Sequence, residues 1–204
     1  MNQRKKFIFP YTINPLMANL AEELLIKLTD IIVPEYLYSV KTGDFILTEE
    51  SSQSKCKHVQ LKKTGKMLVL KFDQVFGTGH DVLPFFKSIE DVKKICDYII
   101  IYPIKDTDKL FVFICELKSN STKKAGKQVR AGFYFAQYLI STTLRLLGYK
   151  KYDIHYRALI FSTNPLVKGT TSSKSLAYNE FPAPDLKFKH LPCNQPCDID
   201  AYCF

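Results

Sequence analysis

Two long apolar runs dominate the hydrophobic pattern of the chain, and a short polar turn near Asp106 separates them. The pattern predicts an antiparallel β-hairpin over residues 96–119, here called the central hairpin. Pairing the strands about the turn sets Asp97, at the open end of the first strand, opposite Glu116 on the second. Because side chains alternate along a strand, Lys118 shares a face with Glu116. The hairpin therefore gathers two carboxylates and an amine at one end.

Helical periodicity and strand alternation place further elements on both sides of the central hairpin. A long helix follows it and ends at Gly148, and the next strand must return to the sheet through a crossover. This order predicts an α/β fold of the α+β kind, with a central mixed β-sheet flanked by helices. The predicted elements are a helix over Leu16–Ile32, a hairpin over 56–73, a helix over Val82–Lys94, a helix over Ala125–Leu147 and a strand over Tyr152–Ser162.

Composition fits one globular core with an affinity for polyanions. The 204 residues are 46% hydrophobic, and the net charge of +9 comes mostly from lysine. Such a balance favours nucleic acid as a partner over a surface that is basic only for solubility. No apolar run approaches the ~20 residues that span a bilayer, and the basic opening lacks the apolar length of a secretion signal. We therefore expect no membrane association and a cytoplasmic or nucleoid-associated protein with reduced cysteines.

The three charged groups of the central hairpin have two interpretations. Two carboxylates held close repel each other unless a proton or a cation lies between them, and Mg²⁺ favours one or two carboxylates together with waters and phosphates. Asp97 and Glu116 would then hold one or two Mg²⁺ or Mn²⁺ ions, and Lys118 would orient or activate an attacking water. In the alternative, Asp97 caps the strand while Glu116 and Lys118 form a salt bridge at the sheet edge. The alignment of the two acids favours the metal.

At these residues the sequence resembles the PD-(D/E)XK nuclease superfamily, whose signature is an acid on one strand and Glu/Asp-x-Lys on the next. Asp97, Glu116 and Lys118 match this signature, and Cys96 replaces the usual proline. The resemblance covers residues 14 to about 163. It implies a restriction-endonuclease-like αβββαβ core. The predicted elements contain one strand more than this core.

The resemblance also implies further site residues. Leu117 would offer its backbone carbonyl as an additional metal ligand. Gln128, at the start of the helix after the Glu-x-Lys strand, matches a glutamine that helps to hold the active site in many members; the alternative is a polar residue of the first helical turn. Members often add an acid from the first helix, where Glu22 and Glu23 lie, but both fall off its apolar face, which favours a solvated role.

Two other segments carry candidate ligands or contacts. His80 and Asp81 follow two glycines in a loop, so Asp81 is a candidate metal ligand and His80 a weaker one; the alternative is an ordinary loop that caps the next helix. Four basic residues surround the start of the helix after the central hairpin, where they would bind the phosphate backbone of nucleic acid without reading its sequence. They are Lys123, Lys124, Lys127 and Arg130.

The end of the chain differs in composition from the rest. Prolines, serines and threonines accumulate after residue 164, which predicts an irregular extension, 165–204, packed on a nuclease core of residues 1–164. The segment HLPCNQPCDIDAYC offers four soft ligands, but their spacing is looser than that of zinc knuckles. A structural Zn²⁺ is therefore not favoured over free cysteines. The four residues are His190, Cys193, Cys197 and Cys203.

These features predict a divalent-metal-dependent nuclease that acts on DNA or RNA, with an endonuclease favoured. The alternative is a catalytically inactive module on the same fold that binds nucleic acid or protein. No recognition module is evident, which leaves room for a homodimer or a separate targeting partner. By association alone, a small nuclease would suit antiviral defence.

Overall fold

The described residues form three layers: two α-helices, a six-stranded mixed sheet and a three-stranded mixed sheet. The computed structural model describes residues 20–38, 44–63, 65–72, 86–87, 89, 92–104, 107–119, 125–148, 152–163, 179–180 and 186–204. The fold is of the mixed α+β class that the order of elements predicted. Within the described residues the elements are α1 (Leu20–Ile31), β1 (Phe45–Thr48), β2 (His58–Lys62), β3 (Leu68–Lys71), β4 (Tyr98–Pro103), β5 (Lys109–Lys118), α2 (Ala125–Leu146), β6 (Asp153–Ser162), β7 (Asn179–Glu180), β8 (Leu186–Pro192) and β9 (Pro196–Asp198).

The large sheet is built around the central hairpin, β4 and β5. Its strand order is β3-β4-β5-β6-β8-β7. β4 is antiparallel to both of its neighbours, whereas β6 is parallel to both β5 and β8. β4 is buried along its whole length because apolar side chains cover both faces of the sheet there. Tyr98 pairs with Cys115, which confirms the predicted register and places Asp97 opposite Glu116 one step further on.

α2 crosses from β5 to the parallel strand β6 and covers one face of the large sheet. Its end is fixed by Gly148, whose φ of +79° is the left-handed conformation that glycine adopts readily. Gly132 lets the helix approach the sheet closely, since a Cβ there would overlap the Sγ of Cys96. The side of α2 that faces the sheet carries a buried apolar stripe, which comprises Val129, Phe133, Ala136, Ile140 and Thr143.

The three-stranded sheet covers the other face of the large sheet. β2 lies between β1, which is antiparallel to it, and β9, which is parallel. The hairpin predicted over 56–73 is therefore wrong, because β2 and β3 both form but β3 pairs with β4. β3 completes the edge of the fully buried β4, while Val59 and Leu61 of β2 pack onto the opposite face of that sheet. Between the two strands, the Gly65 amide donates to the Tyr102 hydroxyl at 3.1 Å.

The end of the chain is not irregular where the structure describes it. β8 extends the large sheet beside β6, and β9 completes the small sheet beside β2. The two prolines of this segment that the structure describes lie at strand ends, with Pro192 closing β8 and Pro196 opening β9, where a missing N–H is tolerated. The boundary proposed after residue 164 stays a prediction.

The other predicted helices agree only in part. α1 begins at Leu20, and the start predicted for it at Leu16 lies outside the described residues. The helix over Val82–Lys94 is wrong where the structure describes it, because the described residues there form bends and a turn. Its apolar positions Phe86 and Ile89 are exposed, so no core contact stabilises a helix. Neither described helix is long and apolar enough to cross a membrane.

Candidate active site

The open end of the central hairpin holds Asp97 and Glu116 together through backbone hydrogen bonds. The Leu117 amide donates to Asp97 Oδ2 at 2.7 Å, and the Asp97 amide donates to Glu116 Oε2 at 3.2 Å. Each carboxylate therefore accepts an amide of the opposite strand, which fixes one oxygen of each acid. The two acids face each other, as the hairpin register predicted.

Glu116 is fully buried, with an exposed fraction of 0%. Lys118 Nζ, on a side chain that is 22% exposed, forms an ion pair with Glu116 Oε1. The Lys118 ammonium is therefore a partner of Oε1. A fully buried carboxylate is still costly with one ammonium beside it, because the ion pair offsets only part of the desolvation of the charged group.

Burial and the nearby Asp97 raise the pKa of Glu116 to about 8, although Lys118 acts in the opposite direction. Burial alone would lower the pKa of Lys118, but the attraction of Glu116 and Asp97 outweighs it and the pKa is raised. Lys118 is therefore an ammonium at neutral pH. Glu116 keeps much of its proton there unless a cation takes the proton's place.

The two carboxylates fit a small divalent cation. Mg²⁺ and Mn²⁺ take oxygen ligands, and Glu116 is a buried carboxylate whose pKa is raised by burial and by the second carboxylate, Asp97. No third carboxylate, histidine or cysteine joins Asp97 and Glu116 among the described residues. Remaining ligands would be waters and substrate oxygens, which Mg²⁺ ordinarily keeps. The role predicted for the Leu117 carbonyl stays a prediction.

Gln128 forms a hydrogen bond with the backbone shortly before Asp97. Its Nε2 donates to the Ile95 carbonyl at 3.4 Å. The next residue, Cys96, is buried with its Sγ against Gly132, so the first turns of α2 pack directly onto the entry to β4. The glutamine predicted from the resemblance thus lies beside the site and contacts the main chain that leads to Asp97.

A polar cleft of about 260 Å³ opens beside Lys118. One wall is the loop between β1 and β2, which Ser119 ties to the end of β5: its Oγ lies 2.7 Å from Ser54 Oγ and accepts the Lys55 amide at 2.7 Å. Glu49, on the same loop, also lines the cleft and contributes to the raised pKa of Lys118. The cleft gives water and substrate a polar approach to the lysine.

The remaining predicted residues have separate placements. Glu22 forms a surface ion pair with Lys66 at 3.3 Å, in agreement with a solvated role for that acid. Lys127 and Arg130 are exposed in the first turns of α2. Four further candidates lie outside the described residues: His80, Asp81, Lys123 and Lys124.

The tail residues considered for zinc are divided between the two faces of the large sheet. Cys193 and Cys197 are buried in the core between the two sheets. His190 lies on the other face of β8, beside Phe188, which packs against the helix-side core. No three potential ligands gather at this point in the part of the chain that the structure describes.

The sequence analysis missed the cleft loop and Ser162. The loop around Glu49 has no apolar pattern that would place it, and its position depends on hydrogen bonds to β5. Ser162 pairs with Lys118 across the parallel ladder. The crossover through α2 was a signal that β6 would join the sheet, but it did not fix which residues of β6 meet the site.

Comparison with known protein families, with curated proteins and with solved structures finds no match to this chain. The resemblance to the PD-(D/E)XK superfamily therefore stays a prediction. It rests on Asp97, Glu116, Lys118 and Gln128.

Proposed function

We propose that this chain is a divalent-metal-dependent nuclease that hydrolyses phosphodiester bonds of DNA or RNA. The observation that carries the proposal is Glu116, a fully buried carboxylate with an ammonium and a second carboxylate beside it. Burial and the repulsion from Asp97 raise its pKa to about 8, against the opposing effect of Lys118. Strongly perturbed acids in such surroundings are typical of functional sites.

In this proposal Asp97 and Glu116 hold Mg²⁺ or Mn²⁺. When bound, the ion lowers the pKa of water and offsets negative charge on the phosphate. Lys118 donates hydrogen bonds that orient the attacking water and stabilise charge on the phosphate oxygens. The water oxygen forms a bond to phosphorus and the bond to the leaving ester oxygen breaks. The water releases a proton to solvent, and the leaving oxygen takes one up.

The order of elements supports the same proposal. α1, the antiparallel strands β3-β4-β5, α2 and the parallel strand β6 follow the αβββαβ order that the resemblance implies. The other five strands are additions to that order. We therefore include a restriction-endonuclease-like core in the proposal.

α2 supplies a surface that suits nucleic acid. Its 22 residues contain no aspartate or glutamate. Lys127 and Arg130 are exposed in its first turns. Tyr134 and Tyr138 follow at helical spacing, 54% and 71% exposed. Cationic side chains bind phosphates and exposed aromatic rings stack on bases, so this face favours a single-stranded segment of the substrate.

Cleavage assays on the full chain test the proposal. With Mg²⁺ or Mn²⁺, wild-type protein should cut at least one of single- and double-stranded DNA and RNA. Glu116→Gln and Lys118→Ala should each lower the rate by about 100-fold or more, because each removes a group that acts on the reacting atoms. Circular dichroism and urea unfolding should show that both variants remain folded.

Lys109 provides the matched control. It is an exposed lysine at the opposite end of β5, and Lys109→Ala should cut at the wild-type rate. Equal rates for Lys118→Ala and Lys109→Ala would contradict the site assignment. If no polymer is cut and calorimetry detects no divalent binding, the chain is an inactive binding module on the same fold.

A further inference from the structure

Three polar side chains with a buried oxygen or nitrogen lie on one face of the large sheet. Glu116 Oε1 contacts the Lys118 ammonium, whereas Ser162 Oγ and His190 Nδ1 have no hydrogen-bond partner among the described residues. Buried polar atoms are nearly always satisfied by protein or water. Two unsatisfied atoms on the face of a buried carboxylate therefore require a common explanation.

The strand register places the three side chains. Glu116 pairs with Ile160, which pairs with His190, and Lys118 pairs with Ser162. Paired residues in a sheet direct their side chains to the same face, and Ile160 packs in the helix-side core. All four polar side chains therefore face the helix side of the sheet, at the carboxyl ends of the parallel strands β5, β6 and β8.

The span of this polar row indicates an extended ligand. Adjacent strands lie about 5 Å apart, so Ser162 is one strand and His190 two strands, or about 10 Å, from Glu116 and Lys118 on β5. That distance is too wide for one ion. Carboxyl ends of neighbouring parallel strands are a common place for ligands in open sheets.

The two added residues offer neutral donors. Ser162 is 1% exposed and carries a hydroxyl, and His190 is half-buried with its ring against Phe188. Burial lowers the pKa of His190, so the imidazole is neutral at pH 7 and has one N–H to donate. Neutral donors beside a lysine suit the oxygens of a phosphate better than a metal ion.

We propose that Ser162 and His190 form a second phosphate subsite, which binds the phosphate next to the one that is cut. The inference rests on the proposed nuclease function and adds the path of the strand, from the central hairpin across β6 to β8. The Ser162 hydroxyl and a ring N–H of His190 donate to phosphate oxygens. Bound nucleic acid then supplies the hydrogen-bond partners that these two side chains lack among the described residues.

Histidine NMR on the full-length Glu116→Gln protein tests the subsite. The chain has four histidines, so the additional substitution His190→Gln assigns its ring signals. Addition of a short single-stranded DNA or RNA oligonucleotide should shift the His190 signals. An uncharged methylphosphonate oligonucleotide of the same sequence should leave them in place.

His155 is the matched control. Its ring is also half-buried, but its Nε2 lies 2.9 Å from Asp153 Oδ2 and it stacks on Phe111 at a centroid distance of 4.8 Å, on the other face of the sheet. Its signals should not shift. In the Glu116→Gln background, Ser162→Ala and His190→Gln should each weaken oligonucleotide binding about tenfold, the value of one hydrogen bond to a charged group. His155→Gln should leave binding unchanged.

The outcomes separate the subsite from the nuclease. If wild-type protein cuts but the His190 signals stay in place, or if Ser162→Ala and His190→Gln bind as tightly as their parent, the subsite is wrong and the nuclease stands. If His190 responds to the phosphodiester oligonucleotide and no polymer is cut, the subsite stands and the nuclease is wrong. An oligonucleotide that does not bind contradicts both.

Discussion

Two buried charges lie on neighbouring strands of the large sheet, and their surroundings differ. Arg157 on β6 is 6% exposed, and its guanidinium donates to the carbonyls of Tyr156 and Phe204 at 2.7–3.3 Å. It also lies over the Phe111 ring, 5.7 Å from the centroid. Glu116 on β5 is 0% exposed and lies between the Lys118 ammonium and the like charge of Asp97, and its pKa is raised to about 8. The fold satisfies the first charge and offsets the burial of the second only in part.

This difference separates a structural charge from a functional one. The hydrogen bonds of Arg157 form within the folded chain, so they add to the free energy of unfolding. The charge on Glu116 lowers that free energy in the metal-free protein, because Lys118 compensates its burial only in part. Destabilising groups of this kind are typical of sites where function outweighs stability. We therefore expect removal of the Arg157 charge to lower the free energy of unfolding and removal of the Glu116 charge to raise it.

Replacement of Arg157 by methionine should lower the free energy of unfolding by about 2 to 4 kcal/mol, because several charge-assisted hydrogen bonds are lost. Urea unfolding at neutral pH measures the change. Lys187 pairs with Arg157 across the ladder and is exposed, so Lys187→Met is the control and should stay within about 0.5 kcal/mol of wild type. Equal effects of the two substitutions would contradict the structural role of Arg157.

Of the two buried charges, only the position of Glu116 could be predicted from local signals in the sequence. The turn and the two apolar runs of the central hairpin are adjacent in sequence, so the register that joins Asp97 to Glu116 followed from counting. The same holds for α2, whose apolar stripe and final Gly148 lie within one segment. The pairing of β2 with β3 was wrong because two adjacent strand patterns do not reveal which sheet each strand joins.

The rest depends on contacts between distant segments. His190 and Cys193 were considered together as zinc ligands because they are close in sequence. In the structure their side chains lie on opposite faces of the large sheet. Its pairing with Ile160 brings His190 into the row that contains Glu116. Neither the parallel register nor the burial of Arg157 has a signature within a single stretch of chain.

Divalent-metal affinity should rise about 50-fold between pH 6 and pH 8, since the Glu116 carboxyl has to lose its proton before it binds a cation. Its pKa is about 8, so each pH unit below that value weakens binding up to tenfold. Calorimetry with Mn²⁺ in buffers of different ionisation enthalpy measures both the affinity and the proton released. The Glu116→Gln variant should lose this dependence, and an affinity that does not change with pH would contradict a role for Glu116 as the ligand.

Replacement of Glu116 by glutamine should stabilise the metal-free protein at alkaline pH by about 1 to 3 kcal/mol. The pKa of Glu116 is about 8 in the folded protein, against an ordinary value of 4.5, so the folded state holds this proton more tightly. The bound proton makes its full contribution to the free energy of unfolding below about pH 4.5, and this contribution is lost as the pH rises through 8. The gain in the variant stays below the ~5 kcal/mol that the full pKa difference implies, because Lys118 loses its nearest acidic partner and keeps only the more weakly acting Asp97 and Glu49.

Urea unfolding with a chelator, at about pH 5 and pH 9, measures this effect; the variant should match wild type more closely at the lower pH. Glu50→Gln is the control with the opposite sign, because Glu50 lies 2.7 Å from the buried ammonium of Lys71, and its loss should lower stability. A Glu116→Gln variant that is less stable than wild type at pH 9 would mean that the fold satisfies Glu116 as it satisfies Arg157. The acid would then belong to the core, and the argument for a ligand at this point would fail.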